Sequence, residues 1–275
     1  GTTIEITGGK FSRIDANPDG PSLATEVIDA QGMVAMPGLI NTHTHAAMTF
    51  LRGAAEDVAL AHWFNDYIWP MEVNFAERDV YLGTLVAIAE MIECGVTTFA
   101  DHYFHMDQAA QAVLESGIRA NLGATFFSSQ GPDGLAQSLS FAERWKDAAD
   151  GRITTSVAPH APYTVSDETL ARIATLAEEI DSPVHTHVHE TAEEIAQGLA
   201  QHGVRPLERL RRLGLVGPRL IAVHAVHLEE AEIELLAREG ASVAHCPSSN
   251  LKLASGIAPV ASLLAKGVNV GLGTD

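Results

Sequence analysis

Val34-Ala-Met-Pro-Gly-Leu-Ile-Asn-Thr-His-Thr-His45 is the stretch on which the fold turns. An apolar run ends in two histidines at i and i+2, and on a strand such a pair projects to the same side. That spacing offers two imidazole nitrogens to one metal ion. A pair alone cannot complete a site. It calls for further strands that end at the same place and bring the remaining groups.

The rest of the chain supplies such strands. Apolar runs at 34–41, 97–101, 118–127, 153–158, 183–187, 220–224, 242–245 and 269–273 read as eight strands, with helical stretches between them. Leu170, Ile173, Leu176 and Ile180 recur with helical spacing. Ser166-Asp167-Glu168 supplies that helix with an N-cap and an acidic first turn. Gly95, Gly117, Gly240 and Gly267 stand where helices close before the next strand. Eight strand-then-helix units in series predict an α/β chain built as a (β/α)8 TIM-like barrel over 37–275. A doubly wound sheet would show GxGxxG after its first strand and gather polar groups at one switch point. Here polar groups recur at many strand ends. Residues 1–36 read as a partial small β domain, with strands at 4–6, 11–14 and 27–29, a Gly8-Gly9 turn and a loop at Asn17-Pro18-Asp19-Gly20. An eighth strand at the very end leaves the barrel reading as one without its C-terminal end.

Composition narrows the partners. With 275 residues and 46% hydrophobic content the chain can bury a large core. A formal net charge of -18 repels phosphate backbones and anionic lipid, so neither nucleic acid nor a membrane is the expected partner. Cys94 and Cys246 lie far apart and form no CxxC, which fits reduced thiols in a cytoplasmic protein.

The strand ends collect His43, His45, His187, His224 and Asp275. Imidazoles with a carboxylate suit a borderline ion, Zn²⁺ or equally Fe²⁺, with room for a water whose pKa the ion lowers. None of the lysines, Lys10, Lys146, Lys252 and Lys266, stands at a middle strand end to bridge a second ion, so one divalent metal is expected. Each residue also has an ordinary reading. His62, His202 and His227 read as surface or satisfied core histidines. His185-Thr-His187-Val-His189 does not by spacing alone say which ring is the ligand. Glu190 could cap the helix opening at Thr191, and Asp275 could be a turn residue. Trp63, Phe64 and Trp69 could be packing, and Glu72 a solvated acid.

Pro37-Gly-Leu-Ile-Asn-Thr-His-Thr-His45, His187-x-x-Glu190, Val223-His224-Ala225, Asn250-Leu-Lys-Leu253 and Gly271-Leu-Gly-Thr-Asp275 together resemble the amidohydrolase superfamily. The likeness is to its branch of 5-methylthioadenosine/S-adenosylhomocysteine deaminases and triazine hydrolases, and it covers essentially the whole chain. The resemblance implies that His43, His45, His187 and Asp275 bind the metal. Glu190 and His224 would handle protons around an attacking water, and Asp275 would pass the water's remaining proton to the departing amine. It also implies a lid in which Trp63 covers the substrate and Glu72 accepts from a ribose diol, with His160 against the heterocycle, and a homodimer.

One departure bears on the substrate. Relatives that take methylthioadenosine or adenosylhomocysteine carry arginines just after strand three, and Thr125–Leu135 holds none. A carboxylate-bearing substrate would lose its charged partner there. The expected function is therefore a metal-dependent deaminase of an adenosine-like nucleoside or related N-heterocycle. The alternatives are a triazine-type chloro- or aminohydrolase and a non-catalytic metal-binding relative.

Overall fold

The computed structural model describes residues 2–16, 24–55, 58 and 60–275, residue 60 by its backbone alone. The loop expected at Asn17-Pro18-Asp19-Gly20 lies outside the described residues. The chain divides into two compact units, Gly1–Pro37 and Gly38–Asp275.

In the first unit β1 (Thr3–Thr7) and β2 (Lys10–Asp15) form an antiparallel hairpin, with Ile4 opposite Ile14 and Glu5 opposite Arg13. Gly8 and Gly9 join them at φ 58° and 74°. Positive φ at both central residues is what a two-residue hairpin turn of the right twist requires. The expected third strand at 27–29 is a correction: no strand forms there, because no described strand offers that segment a ladder.

The second unit is the expected barrel. Eight strands pair in parallel in sequence order: β3 (Leu39–Thr44), β4 (Val96–Tyr103), β5 (Arg119–Phe126), β6 (Ile153–Pro159), β7 (Val184–Val188), β8 (Leu220–His224), β9 (Ser242–His245) and β10 (Asn269–Leu272). Seven of them lie within two residues of the expected bounds; the first does not. It begins at Leu39 instead of 34, since Pro37 has no N–H to give a ladder and pairing starts with Leu39 against Val96.

The strands are joined by α1 (Glu77–Glu93), α2 (Met106–Ser116), α3 (Pro132–Trp145), α4 (Asp167–Glu179), α5 (Ala192–His202), α6 (Pro206–Arg212), α7 (Glu230–Glu239), α8 (Pro247–Lys252) and α9 (Val260–Ala265). Helix α4 keeps its expected cap, with Ser166 Oγ accepting from Thr169 N at 3.3 Å and Leu170 and Ile173 buried. One apolar cluster packs Phe126, Val157, Leu207, Leu220 and Leu236 between strands and helices; another packs Phe99, Leu122, Phe141 and Ile153. Each such side chain contributes roughly 1.5–3 kcal/mol by burial. Among the described residues no helix is long and apolar enough to cross a membrane.

Closure between β10 and β3 is made at the mouth. Thr274 N and Asp275 N both donate to His43 O at 3.0 Å, and Asn41 Nδ2 donates to Thr274 Oγ1 at 2.8 Å. Gly273 makes this approach possible: a Cβ there would sit 3.0 Å from the His43 backbone. Thr274 and Asp275 are thus laid against β3, the first strand of the barrel.

Candidate active site

Parallel strands place their C-terminal ends at one mouth, and the expected side chains converge there. Ligand atoms of His43, His187, His224 and Asp275 all lie within 4.8 Å of one another. His45, just beyond β3, reaches the same carboxylate: its Nε2 is 3.2 Å from Asp275 Oδ1, beside His43 Nε2 at 3.1 Å. His224 Nε2 stands 3.7 Å from Asp275 Oδ2 and 3.8 Å from Glu190 Oε2. The sequence reading placed His224 among the proton-handling groups; the geometry puts it in the same cluster as His43 and His187.

The donor set suits a divalent ion, because the rings are already oriented. His45 Nδ1 donates to His102 O at 2.5 Å, His187 Nδ1 to His160 O at 2.6 Å, and His224 Nδ1 to Asn250 Oδ1 at 2.8 Å. With each Nδ1 committed to a fixed oxygen, each ring turns its Nε2 toward the cluster. Metal-binding histidines are held by their second nitrogen in this way. His43 Nδ1 lies 2.9 Å from His185 Nε2, so His185 braces His43 from below. Ser249 Oγ donates to Asp275 Oδ2 at 2.5 Å.

Charge follows burial and neighbours. Burial holds His187 well below the usual imidazole range and His43 down at about 4, so both rings are neutral donors at pH 7. Burial would also lower His45, but the hydrogen bond and charge of Asp275 outweigh it and push it up to about 9. Asp275 is raised by burial and lowered more strongly by His224 and by the hydrogen bonds of His43 and His45, which leave it well below the carboxylate range. Glu190 goes the other way: burial raises its carboxyl, against the pull of His224.

The two readings of Glu190 separate on geometry. The cap of α5 is Thr191, whose Oγ1 accepts from Glu194 N at 3.1 Å. Glu190 faces His224 instead. His189 turns away from the cluster; its Nε2 accepts from Leu207 N at 3.0 Å. His227 Nε2 is satisfied by Ser255 O at 2.8 Å, and His62 pairs with Asp66 at 2.8 Å.

Across the mouth the substrate candidates are less tied. His160 follows β6, its ring 4.9 Å from that of His187 and stacked on Phe127 at 4.6 Å. Burial lowers it to about 3. Glu72 ends a helical segment and accepts from Tyr103 OH at 2.5 Å; burial raises its carboxyl. Trp63 opens the π-helical stretch Trp63–Ile68, half-buried, and among the described residues no ring contact joins it to the histidines. Sequence reasoning missed Tyr103 and His102, and it gave Asn250 no role. Asp101-His102-Tyr103, a polar triplet ending an otherwise apolar strand, was the available signal.

Comparison with known proteins bears on the family and the fold. The amidohydrolase family model matches residues 34–275. A 5-methylthioadenosine/S-adenosylhomocysteine deaminase of Desulforudis audaxviator is 50% identical over 254 residues, 92% of this chain and 59% of that protein. The crystal structure of an adenosine deaminase from Xanthomonas campestris with bound zinc is 47% identical with a TM-score of 0.84, over 87% of this chain and 56% of that one. A triazine hydrolase from Arthrobacter aurescens shares the fold at a TM-score of 0.90 and 24% identity, over 99% of this chain and 66% of that one. The chain spans about three fifths of the length of the curated relatives it matches. With the family match running over residues 34–275, from ahead of His43 and His45 to Asp275, the chain belongs to the amidohydrolase family.

Proposed function

We propose that the protein is a mononuclear zinc-dependent aminohydrolase that releases ammonia from an adenosine-like purine nucleoside, acting as a cytoplasmic homodimer. The observation that carries this reading is the convergence of His43, His187, His224 and Asp275 within 4.8 Å, with the Glu190 carboxyl raised by burial beside them. His43, His45, His187 and Asp275 would hold the ion, with His224 alongside. When bound, a divalent cation there supplies Lewis-acid activation of water at neutral pH.

The proton work falls to the chain's own residues. Glu190 takes the water's first proton and delivers it to the ring nitrogen beside the carbon under attack, so negative charge does not build up there. His224, its Nδ1 fixed by Asn250, directs Nε2 at the attacking water and orients it. Asp275, kept ionised, takes the water's remaining proton and passes it to the departing amine, which leaves as ammonia. His160, stacked on Phe127, and the Trp63–Glu72 segment would hold the base and the sugar.

The test is ammonia release by the zinc-loaded protein from adenosine, 5′-deoxyadenosine, methylthioadenosine, guanine and melamine. Turnover of at least one of the three adenosine-type nucleosides is the expected result. Ammonia from none of them with zinc bound overturns the reading, and ammonia from melamine alone turns it to the triazine-type chemistry.

A further inference from the structure

Glu194 lies one helical turn beyond Glu190, and the mechanism above does not use it. It is buried, at 3% exposure, and both its carboxylate oxygens are spent on main chain: Oε1 accepts from His189 N at 2.9 Å and Oε2 from Glu190 N at 2.8 Å. Its own N–H is accepted by Thr191 Oγ1. In an ordinary capping box the third residue of the helix reaches back to the N-cap amide. Here it reaches past the cap to the two residues before it, one of which is Glu190.

Those two residues form a sharp corner. His189 adopts a left-handed φ of 57°, a conformation that costs a residue with a Cβ of order 1–3 kcal/mol unless its surroundings impose it. The corner is stitched on its other side to the end of β8, where His224 and Ala225 are also left-handed at φ 71° and 50°. Ala225 N donates to Val188 O at 3.1 Å, and Val226 N and His227 N donate to His189 O at 3.0 and 3.1 Å. The two corners that carry Glu190 and His224 are thus joined to each other, and Glu194 holds the Glu190 corner from the helix side.

We infer that Glu194 is a positioning residue for Glu190: its carboxylate clamps the His189–Glu190 main chain so that the Glu190 side chain meets the substrate's ring nitrogen at transfer distance. The inference rests on the deaminase reading for Glu190's role, while the clamp itself can be measured without turnover. Glutamine at 194 keeps the size but offers one acceptor oxygen, and its NH2 opposes the other backbone N–H. Misplacement of a reacting group by about 1 Å can cost on the order of 10²-fold in rate.

The experiment compares Glu194→Gln with Thr191→Ala, which frays the same helix end but leaves the clamp. It measures kcat and KM on the best nucleoside, bound zinc per chain, and hydrogen exchange of the His189 and Glu190 amides. Glu194→Gln is expected to lower kcat about 30- to 100-fold, to keep KM within about threefold and to retain zinc. Exchange at the two amides should be faster, and Thr191→Ala should keep kcat within about twofold. Wild-type kcat in Glu194→Gln, or an equal loss in Thr191→Ala, overturns the inference. Should Glu194→Gln fail to fold, Glu194→Asp decides it: the shorter carboxylate cannot span both amides, so unchanged kcat there overturns it as well. A wild-type protein that releases no ammonia sinks the deaminase reading instead, and unchanged amide protection in Glu194→Gln then overturns the clamp by itself.

Discussion

Around Asp275, His45, His187 and His224 each give Nδ1 to a fixed oxygen, from His102 O, His160 O and Asn250 Oδ1. Across the mouth, the Trp63–Glu72 segment is anchored through the phenol of Tyr103, whose OH donates to Glu72, and through ring contacts such as Trp69 on Phe104 at 6.4 Å. His43 is fully buried, whereas Trp69 is 42% exposed. We read the first region as the rigid side, fixed by its hydrogen bonds, and the second as the mobile side. The proposed chemistry would benefit from that division, since preorganisation serves the orientation of water and mobility serves entry and release of a nucleoside.

The largest effects should come from the rigid side. Asp275→Asn removes the proposed ligand and proton acceptor, and kcat should fall by about 10⁴-fold or more with loss of bound zinc, read by metal analysis. Glu190→Gln should cost about 10²–10⁴-fold in kcat while fold and zinc are kept. If Glu190→Gln lost zinc too, the separation drawn here between holding the ion and moving the proton would fail. Asn250→Ala frees the His224 ring, whose Nδ1 donates to Asn250 Oδ1; a loss of about 10- to 100-fold in activity is expected. An unchanged rate would mean that the ring is held by something other than Asn250.

The barrel was readable because its signal repeats: eight apolar runs, each followed by a helix, fix the architecture even where single boundaries slip, as at Pro37. The strand-end histidines were readable for the same reason, since a polar residue terminating an apolar run is conspicuous. What stayed hidden depends on contacts between distant segments. Asn250 lies 26 residues from His224, and Tyr103 lies 31 from Glu72. No periodicity links such pairs; only the closure of the barrel brings them together. Glu190 was ambiguous for a local reason, because a carboxylate before a helix can cap it, and the answer depended on Thr191 taking that place.

Proton linkage gives a graded test of the rigid side. Asp275 pushes His45 up to about 9, so a cation arriving between them at pH 7 must displace a proton. Zinc affinity should therefore rise by about tenfold per unit from pH 6 to 8 on account of this group, with the released proton counted by calorimetry in buffers of different ionisation heat. In the metal-free protein the sign is opposite. A raised imidazole pKa stabilises the fold fully below the ordinary value of 6.5, and that contribution fades as pH rises through about 9. Replacing His45 by Gln should flatten the first slope by one proton and remove the second.

The smallest expected effect lies on the mobile side. Tyr103→Phe deletes only the hydroxyl that Glu72 accepts from, and a single hydrogen bond of this kind contributes about 0.5–1.5 kcal/mol. Freed from it, Glu72 loses its fixed direction toward the sugar, so KM for the nucleoside should rise about 2- to 10-fold while kcat holds. That split is the point of the measurement: in the proposed reading Glu72 lies against the ribose, apart from the proton transfers assigned to Glu190 and Asp275. A fall in kcat with KM unchanged would mean that Tyr103, whose ring lies 6.1 Å from that of His45, acts on the metal side of the mouth instead. The boundary between the rigid and the mobile region would then have to be drawn through β4, with Tyr103 grouped with His102.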